Sequence, residues 1–437
     1  MDLYETSIQL DELLETNRSV FVKTDPEVPD FTIASEFKIL IFGSKQKVEI
    51  IVKPENIIHL IALFDVTIFD KEKIDRLYIW NLKSLASYFY SITKKFISPS
   101  TNIIDLKLIE NFQNIEKNIP ENLIEAVNRI KVAISHKGWQ LIYKSIHLPL
   151  SLRVLPAIES TPLLNEETKK TEHPFYVIEG QSNGRMNCLN KFAKSYLPHN
   201  MGPDVKKALK PRGYGLRFLC SDFRHCEVTV LQWLSNDETL KEILNSGADL
   251  HEKIYEIVTK DQCNNQNKRN LSKKLFLPVM YGCGSKTLAK SLGVNDTVGA
   301  ELTLRIKQSF PTAWNWLQSK QEEAKKGIVY DYFQRPKTLK DNECYLARNF
   351  AVQGVAATAC QEKLIALHKE LNTEKAYLIF SVHDGFGLLC KTEYAQETYK
   401  LVKRTCEEES ILCPGLKMKV EIKFGARLDE MKVLWKD

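Results

Sequence analysis

Two kinds of hydrophobic pattern divide this chain. Over residues 18–110, short runs rich in β-branched and aromatic residues (SVFVKTD, FKILIFG, KVEIIVK, RLYIWNL) stand between turn residues and predict strands. Helical segments are expected near 83–95 and 103–115, so this part reads as an α/β unit. Residues 115–160 read as helical through ENLIEAVNRIKVAI and LPLSLRVLPAIES, and the polar run NEETKKTEHP reads as a linker. Patterning is strong from Tyr176 onward. GLRFLCSDF and YLIFSVHDGFGLLC are apolar strands, each with an aspartate at or near the end of its run. NKRNLSKKLFLPVMYG, AELTLRIKQSF and ARNFAVQGVAATACQEKLIALHKEL repeat at helical spacing and predict amphipathic helices.

Composition changes this picture little. The chain has 437 residues, 43% hydrophobic and 27% charged, which suits a globular protein of two to four domain-sized units. Lys and Arg (61) exceed Asp and Glu (55), a mild excess that permits a polyanionic partner without selecting one. The 10 cysteines include no C-x-x-C pair and no zinc-finger spacing. Cys226, Cys263, Cys283, Cys344 and Cys360 lie in patterned segments and are expected to be reduced and packed as small apolar residues. The acidic N-terminus has no long apolar run, and no stretch approaches the ~20 apolar residues a membrane span needs. An intracellular, cytoplasmic setting without membrane association is expected, in a bacterial or phage-infected cell or an organelle. The abundance of Lys, Ile and Asn points to an AT-rich genome such as that of a phage or mobile element.

The candidate chemistry begins with Asp222 and Asp384. A carboxylate at the end of a buried strand is costly to ionise unless a cation or donors compensate it. Each aspartate alone reads first as a strand-terminal turn or helix-capping residue; together they suit a shared metal pair. Between them Arg269, Lys273, Leu277 and Tyr281 recur every four residues and fall on one helical face. Two cations on its early turns suit a triphosphate, and the tyrosine end suits sugar or base. A solvated basic face over a core stripe is the other reading.

The run Asp222 to Asp237, DFRHCEVTVLQWLSND, is similar without a gap to motif A of family A DNA polymerases, D-Y-S-Q-I-E-L-R-V-L-A-H-L-S-G-D. Arg269 to Gly282 resembles motif B, R-x-x-x-K-x-x-x-F-x-x-x-Y-G, and Ser381 to Asp384 resembles the V-H-D-E of motif C. Minor signatures fall in the family's order: Gly184-Arg185 before motif A, Asp249-Leu-His251 after it, Gly327-Ile-Val-Tyr with Gln334-Arg335, and Arg348-Asn349 with Gln353-Gly354. The ordered set covers residues 176–437.

This resemblance implies an α/β and α+β multidomain chain. A ribonuclease H-like N-terminal domain would precede a right-hand polymerase of palm, fingers and short thumb, with an antiparallel palm sheet. The boundaries are 1–115 for a degenerate 3′–5′ exonuclease-like domain and 116–175 for a shortened thumb and linker. Palm would take 176–239 and 346–437, and fingers 240–345. The implied activity is template-directed addition of deoxynucleoside triphosphates to a primer 3′ end on primer-template DNA. A monomer is expected, served by a processivity factor or replisome protein.

By the same resemblance Asp222 and Asp384, with the backbone carbonyl of Phe223, would hold two Mg2+ ions. Arg269 and Lys273 would contact the incoming phosphates with His251 nearby, and Lys273 would protonate the leaving pyrophosphate. Leu277 and Tyr281 complete the nucleotide-facing surface. Glu227 matches the steric-gate glutamate that excludes a 2′-hydroxyl and pairs with Tyr281. Arg185, Asn349, Gln353 and His383 would contact the primer terminus and template minor groove, positioning the duplex without reading sequence.

Departures from the family pattern matter. Gly385 replaces the motif C glutamate, Leu277 the usual aromatic, and His225 and Thr229 the glutamine and arginine of motif A. HDGFG also resembles the H-D-S-F-G of single-subunit RNA polymerases, which leaves RNA synthesis as an alternative that Glu227 opposes. The segment Ile146 to Leu150, with Glu159, resembles the entry to the thumb, yet Gly184-Arg185 arrives soon after, so weak duplex grip and low processivity are expected. In the N-terminal part Leu85, Val22 and Thr24 stand where exonuclease carboxylates belong, leaving only Asp105. Proofreading is not expected. A catalytically retired DNA-binding protein and a nuclease are the readings from other classes.

Overall fold

A strand buried on both faces needs apolar residues at successive positions, and Val20, Phe21 and Val22 are fully buried in β1 (Ser19–Asp25). The computed structural model describes residues 19–25, 37–43, 46–52, 76–93, 96, 102–108, 121, 125, 139–188, 198 and 201–435. The chain divides into two units: Met1–Asp222 with Gln361–Thr405 and Ile422–Asp437, and Phe223–Cys360 with Cys406–Glu421.

In the first unit, β1 joins β2 (Phe37–Phe42), β3 (Lys47–Val52), β4 (Arg76–Ile79) and β5 (Asn102–Asp105) in a sheet of order β3-β2-β1-β4-β5. The first three strands are antiparallel, and β4 runs parallel to both β1 and β5. Helix α1 (Leu82–Thr93) follows β4 and buries Leu82, Leu85 and Ala86. The helix expected over 103–115 begins instead as β5, with a helical turn at 106–108; residues 109–115 lie outside those described. A four-residue apolar run does not distinguish strand from helix by periodicity, and parallel pairing with β4 decides it. The expected helix ENLIEAVNRIKVAI lies almost wholly outside the described residues.

Residues 139–159 are helical, with wide π-type turns at Tyr143–His147 and Leu150–Val154 on either side of Pro149. Pro149 has no N–H to continue the regular ladder. The last turn, α2 (Leu155–Glu159), ends in a buried carboxylate. Glu159 accepts from Lys83 Nζ at 2.8 Å, Ser87 Oγ at 2.6 Å and the Tyr176 backbone N–H at 2.7 Å. Burial pushes the Lys83 pKa down, and Glu159 opposes that shift.

The run expected to be a linker is a hairpin of β6 (Leu163–Asn165) and β7 (Lys170–Glu172). Its polar residues form the turn and exposed face, where the Asn165 side chain accepts the Glu167 and Thr168 N–H groups, while Leu163 is fully buried. Two short strands, β8 (Tyr176–Val177) and β9 (Asn187–Cys188), pair with each other, and β10 (Leu209–Lys210) extends the β6–β7 hairpin.

The main sheet of the C-terminal half has the order β14-β15-β11-β16, from β11 (Leu216–Phe223), β14 (Ala376–Val382), β15 (Gly385–Lys391) and β16 (Val420–Gly425). Phe218, Ile379, Phe380 and Leu389 pack with Leu163 and Leu209 into its core. A side chain at Gly387 would overlap the Phe380 ring.

The second unit is helical: α3 (Cys226–Ser235), α4 (Glu238–Asn245), α5 (Leu250–Thr259), α6 (Gln266–Met280), α7 (Ser285–Leu292), α8 (Asp296–Ser309) and α9 (Pro311–Ala324). The hairpin of β12 (Ile328–Tyr330) and β13 (Pro336–Thr338) follows, and α10 (Leu346–Glu370) continues into the first unit. Side chains of Asp237, Asp249, Asn265 and Asn295 cap helix N-termini, each accepting an otherwise orphaned N–H. Asp237 also accepts the Ala313 N–H at 3.0 Å, tying α4 to the start of α9. In the β12–β13 hairpin the buried Arg335 pairs with Asp331 at 2.9 Å. Gly354 makes room for this pair, since a Cβ there would overlap the Asp331 carboxylate.

The ten cysteines form no disulfide; Cys226, Cys344 and Cys360 are buried as expected, whereas Cys263 and Cys283 are half-buried. Among the described residues no helix is long and apolar enough to cross a membrane.

Candidate active site

In the first unit Asp222 is the penultimate residue of β11. Antiparallel pairing sets it directly opposite Gly385, the first residue of β15. Val382, the last residue of β14, also pairs with Gly385, so His383 and Asp384 form the tight turn between the two strands. Asp222 and Asp384 thus lie one residue apart across neighbouring strands, whose spacing is about 4.8 Å. The expected burial cost does not arise at Asp222: it is exposed and Asp384 half-buried, because the carboxylates sit at the strand ends and the apolar run stops before them.

Two features fix this turn. The Tyr176 hydroxyl donates to the Ser381 carbonyl and accepts the Ser381 N–H, both at 2.8 Å, holding β14 two residues before His383. His383 takes a left-handed conformation, φ 50°, as tight hairpin turns require. A Cβ at Gly385 would stand 2.5 Å from the Ser221 carbonyl oxygen, so the pairing leaves no room for the glutamate expected in motif C. Gly184, with φ 79°, turns the chain before the half-buried Arg185, and Gln361 Nε2 donates to the Gly184 carbonyl at 2.9 Å.

In the second unit, α6 buries Ser272, Leu275, Phe276, Val279 and Met280 on one side. Arg269, Lys273, Leu277 and Tyr281 lie on the other, with Lys273 exposed and the rest half-buried. Tyr281, at the C-terminal end of α6, donates its hydroxyl proton to Glu227 Oε2 at 2.7 Å. Gln353 Nε2 on α10 donates to the other Glu227 oxygen at 2.9 Å. The glutamate on the first turn of α3 is therefore held on both oxygens.

Arg269 donates through Nε and Nη2 to Asp249 Oδ2, at 3.0 and 2.7 Å. Partial burial would raise the Asp249 carboxyl, but Arg269 and the His251 and Glu252 N–H groups outweigh it and hold the carboxyl below the usual range. Beside this pair the His225 and His251 rings meet edge to face, centroids 5.2 Å apart. Burial, then the neighbouring His225 and Arg269, push the His251 pKa down to about 4, and burial lowers His225. Both imidazoles are neutral at pH 7. Lys273 forms no ion pair among the described residues.

Residues 156–430 match the family model for DNA polymerase family A. The chain belongs to that family. It is 26% identical over 235 residues to the thermostable DNA polymerase I of Thermus filiformis, a match covering 51% of this chain and 28% of that enzyme. Against DNA polymerase I of Borreliella burgdorferi it is 22% identical over 334 residues, 71% of this chain and 36% of the relative. The matched part spans under a third of the Thermus enzyme and of the 27% identical polymerase I of Geobacillus stearothermophilus. The fold is similar to the polymerase domain of Pol1 from M. smegmatis, solved in complex with DNA primer-template and dNTP. That likeness has a TM-score of 0.76 at 13% identity and covers 98% of this chain and 99% of that one. The mixed α/β architecture is thus that of a family A polymerase domain.

Within the family's motifs the structure gathers the anticipated residues into local sets. Asp222 is one residue from Asp384 across the sheet, with His383 in the same turn. Glu227 and Tyr281 are bonded to each other, and Gln353 is bonded to the same glutamate. Asn349 is half-buried one helical turn before Gln353. Four contributors were missed: Asp249 as the partner of Arg269, Tyr176 as the brace on Ser381, Gln361 under Gly184, and Asp237 as a double cap. Only the caps carried a signal, an Asp just before each helix.

Proposed function

We propose that this chain is a template-directed DNA polymerase that extends a primer 3′ end with deoxynucleoside triphosphates. The observation that carries the reading is the β11–β15 register, which pairs Asp222 with Gly385 and so sets it beside Asp384 at the end of one sheet.

Carboxylate oxygens are the donors Mg2+ prefers, and such sites use one or two carboxylates with substrate phosphates and water. The donor set fits in kind: Asp222 and Asp384 bring two carboxylates to adjoining strand ends, and among the described residues no third His, Cys, Asp or Glu joins them in a cluster, so water and substrate oxygens would complete the coordination. Asp222 and Asp384, with the Phe223 carbonyl, would hold two divalent ions. Bound there, the ions supply charge neutralisation and a more acidic primer hydroxyl. Lys273 places positive charge on the triphosphate and donates a proton to the departing pyrophosphate. Arg269, braced by Asp249, and the neutral His251 contribute donors to the same phosphates. Leu277 and Tyr281 face the nucleotide, and Glu227 rejects a 2′-hydroxyl, a role that its bonds to Tyr281 and Gln353 support. Arg185, Asn349, Gln353 and His383 contact primer and template, and Gln353 also holds Glu227.

The order β3-β2-β1-β4-β5 supports a ribonuclease H-like N-terminal domain at 1–115. Leu85 and Val22 are core residues there, and the Asp105 carboxylate accepts the N–H groups of Asn81, Leu82 and Lys107, which supports a scaffold role without proofreading. Residues 116–175 serve as a shortened thumb, with palm at 176–239 and 346–437 and fingers at 240–345. Primer extension on a defined template with Mg2+ and dNTPs tests the reading; no template-dependent product from a folded protein would refute it.

A further inference from the structure

The second unit contains a cavity of about 360 Å³ that begins at Gly282, the last residue of motif B, and whose cations have no part in the roles proposed above. The loop Gly282–Ser285, Lys307 on α8, Trp314 and Gln318 on α9, and Tyr345 and Arg348 beside and on α10 line it. Its electrostatics are unusual. Lys307 Nζ and Arg348 Cζ each lie 4.3 Å from the centre of the Trp314 ring, so two cations share one aromatic partner. Among the described residues no carboxylate lines the cavity. Arg348 is 4% exposed, donates to Gln318 Oε1 at 2.9 Å and to the Met280 carbonyl at 3.4 Å, and leaves Nε buried without a partner.

Two like charges held together in a partly dry pocket repel, and an orphaned guanidinium N–H carries a desolvation cost. Burial, and then the Arg348 charge, lower the Lys307 pKa, and burial lowers that of Arg348 against the opposing charge of Glu322, which lies outside the cavity lining. An anion with several acceptor oxygens removes both penalties, and guanidinium with ammonium is the donor pair that phosphate takes best.

We propose that this cavity is a phosphate-binding site, taking the phosphate of a free pyrophosphate or nucleotide, or of a nucleic-acid backbone. Binding needs no catalytic metal, so it stands or falls separately from polymerase activity.

The test is calorimetric titration in EDTA, in a Lys273→Gln background so that the α6 face does not contribute. The probes are inorganic pyrophosphate and a short single-stranded oligothymidylate. One probe is expected to bind, about tenfold more weakly after Lys307→Gln, with affinity restored in Lys307→Arg. Binding of pyrophosphate assigns the site to free phosphates; binding of the oligonucleotide alone assigns it to a strand. Lys307→Gln is also expected to unfold at no lower temperature than its parent, since it relieves repulsion. Binding of neither probe, or equal affinity in Lys307→Gln, would overturn the proposal.

Discussion

The Tyr281 hydroxyl donates to Glu227 at 2.7 Å, joining the end of α6 to the first turn of α3. With Gln353 on its other oxygen, Glu227 is a pre-positioned carboxylate instead of a mobile surface side chain. Such fixation lets a single residue discriminate between substrates that differ by one hydroxyl. Replacing Glu227 by Ala is expected to lower the preference for dNTP over rNTP, as a ratio of kcat/KM, by roughly tenfold or more. Tyr281→Phe removes one of the two bonds and is expected to give a smaller change in the same direction. Paired extension kinetics check this; an unchanged ratio in Glu227→Ala would remove its gate role.

Gly385 is a steric requirement of the sheet. Restoring the motif C carboxylate as Gly385→Glu drives a Cβ against the Ser221 carbonyl and is expected to destabilise the fold. Gly385→Ala already meets the same oxygen and is expected to cost about 1–3 kcal/mol. Thermal unfolding reads it: either variant melting with wild type would contradict the packing argument.

Asp105 gives the N-terminal sheet a distinctive pH response. Burial raises its pKa from 3.8 to about 6, opposed by the N–H groups of Leu82 and Asn81. The folded state therefore favours the protonated acid. Its stabilising contribution is full below about pH 4 and is lost as pH rises through about 6, a loss of about 3 kcal/mol. Urea unfolding of wild type and Asp105→Asn between pH 4 and 7 should show this slope only in wild type. Parallel curves would exclude Asp105 as its source.

Much of this architecture was legible in residue patterns, for stated reasons. The strands around Asp222 and Asp384 are long apolar runs, and α6 shows its faces through Leu275, Phe276, Val279 and Met280. Short elements were not legible. NIID carries too few residues to reveal a period, and the β6–β7 hairpin hides its one buried leucine among turn residues. The bond from Gln353 to Glu227 joins positions 126 residues apart, and nothing local to either announces it. Nor does sequence show that Asp222 is exposed, since that depends on where the sheet ends. The cavity around Trp314 combines three helices and a loop, so no single segment carries its signature.

The central claim is that Asp222 and Asp384 hold the metal ions of a DNA polymerase. Primer extension on a defined template with Mg2+, comparing wild type with Asp222→Ala and Asp384→Ala, tests it most directly. Both substitutions fall at exposed or half-buried strand ends, so folding is expected to survive. The account predicts that each lowers kcat by roughly a thousandfold or more without loss of primer-template binding. Near wild-type extension by either variant would contradict it.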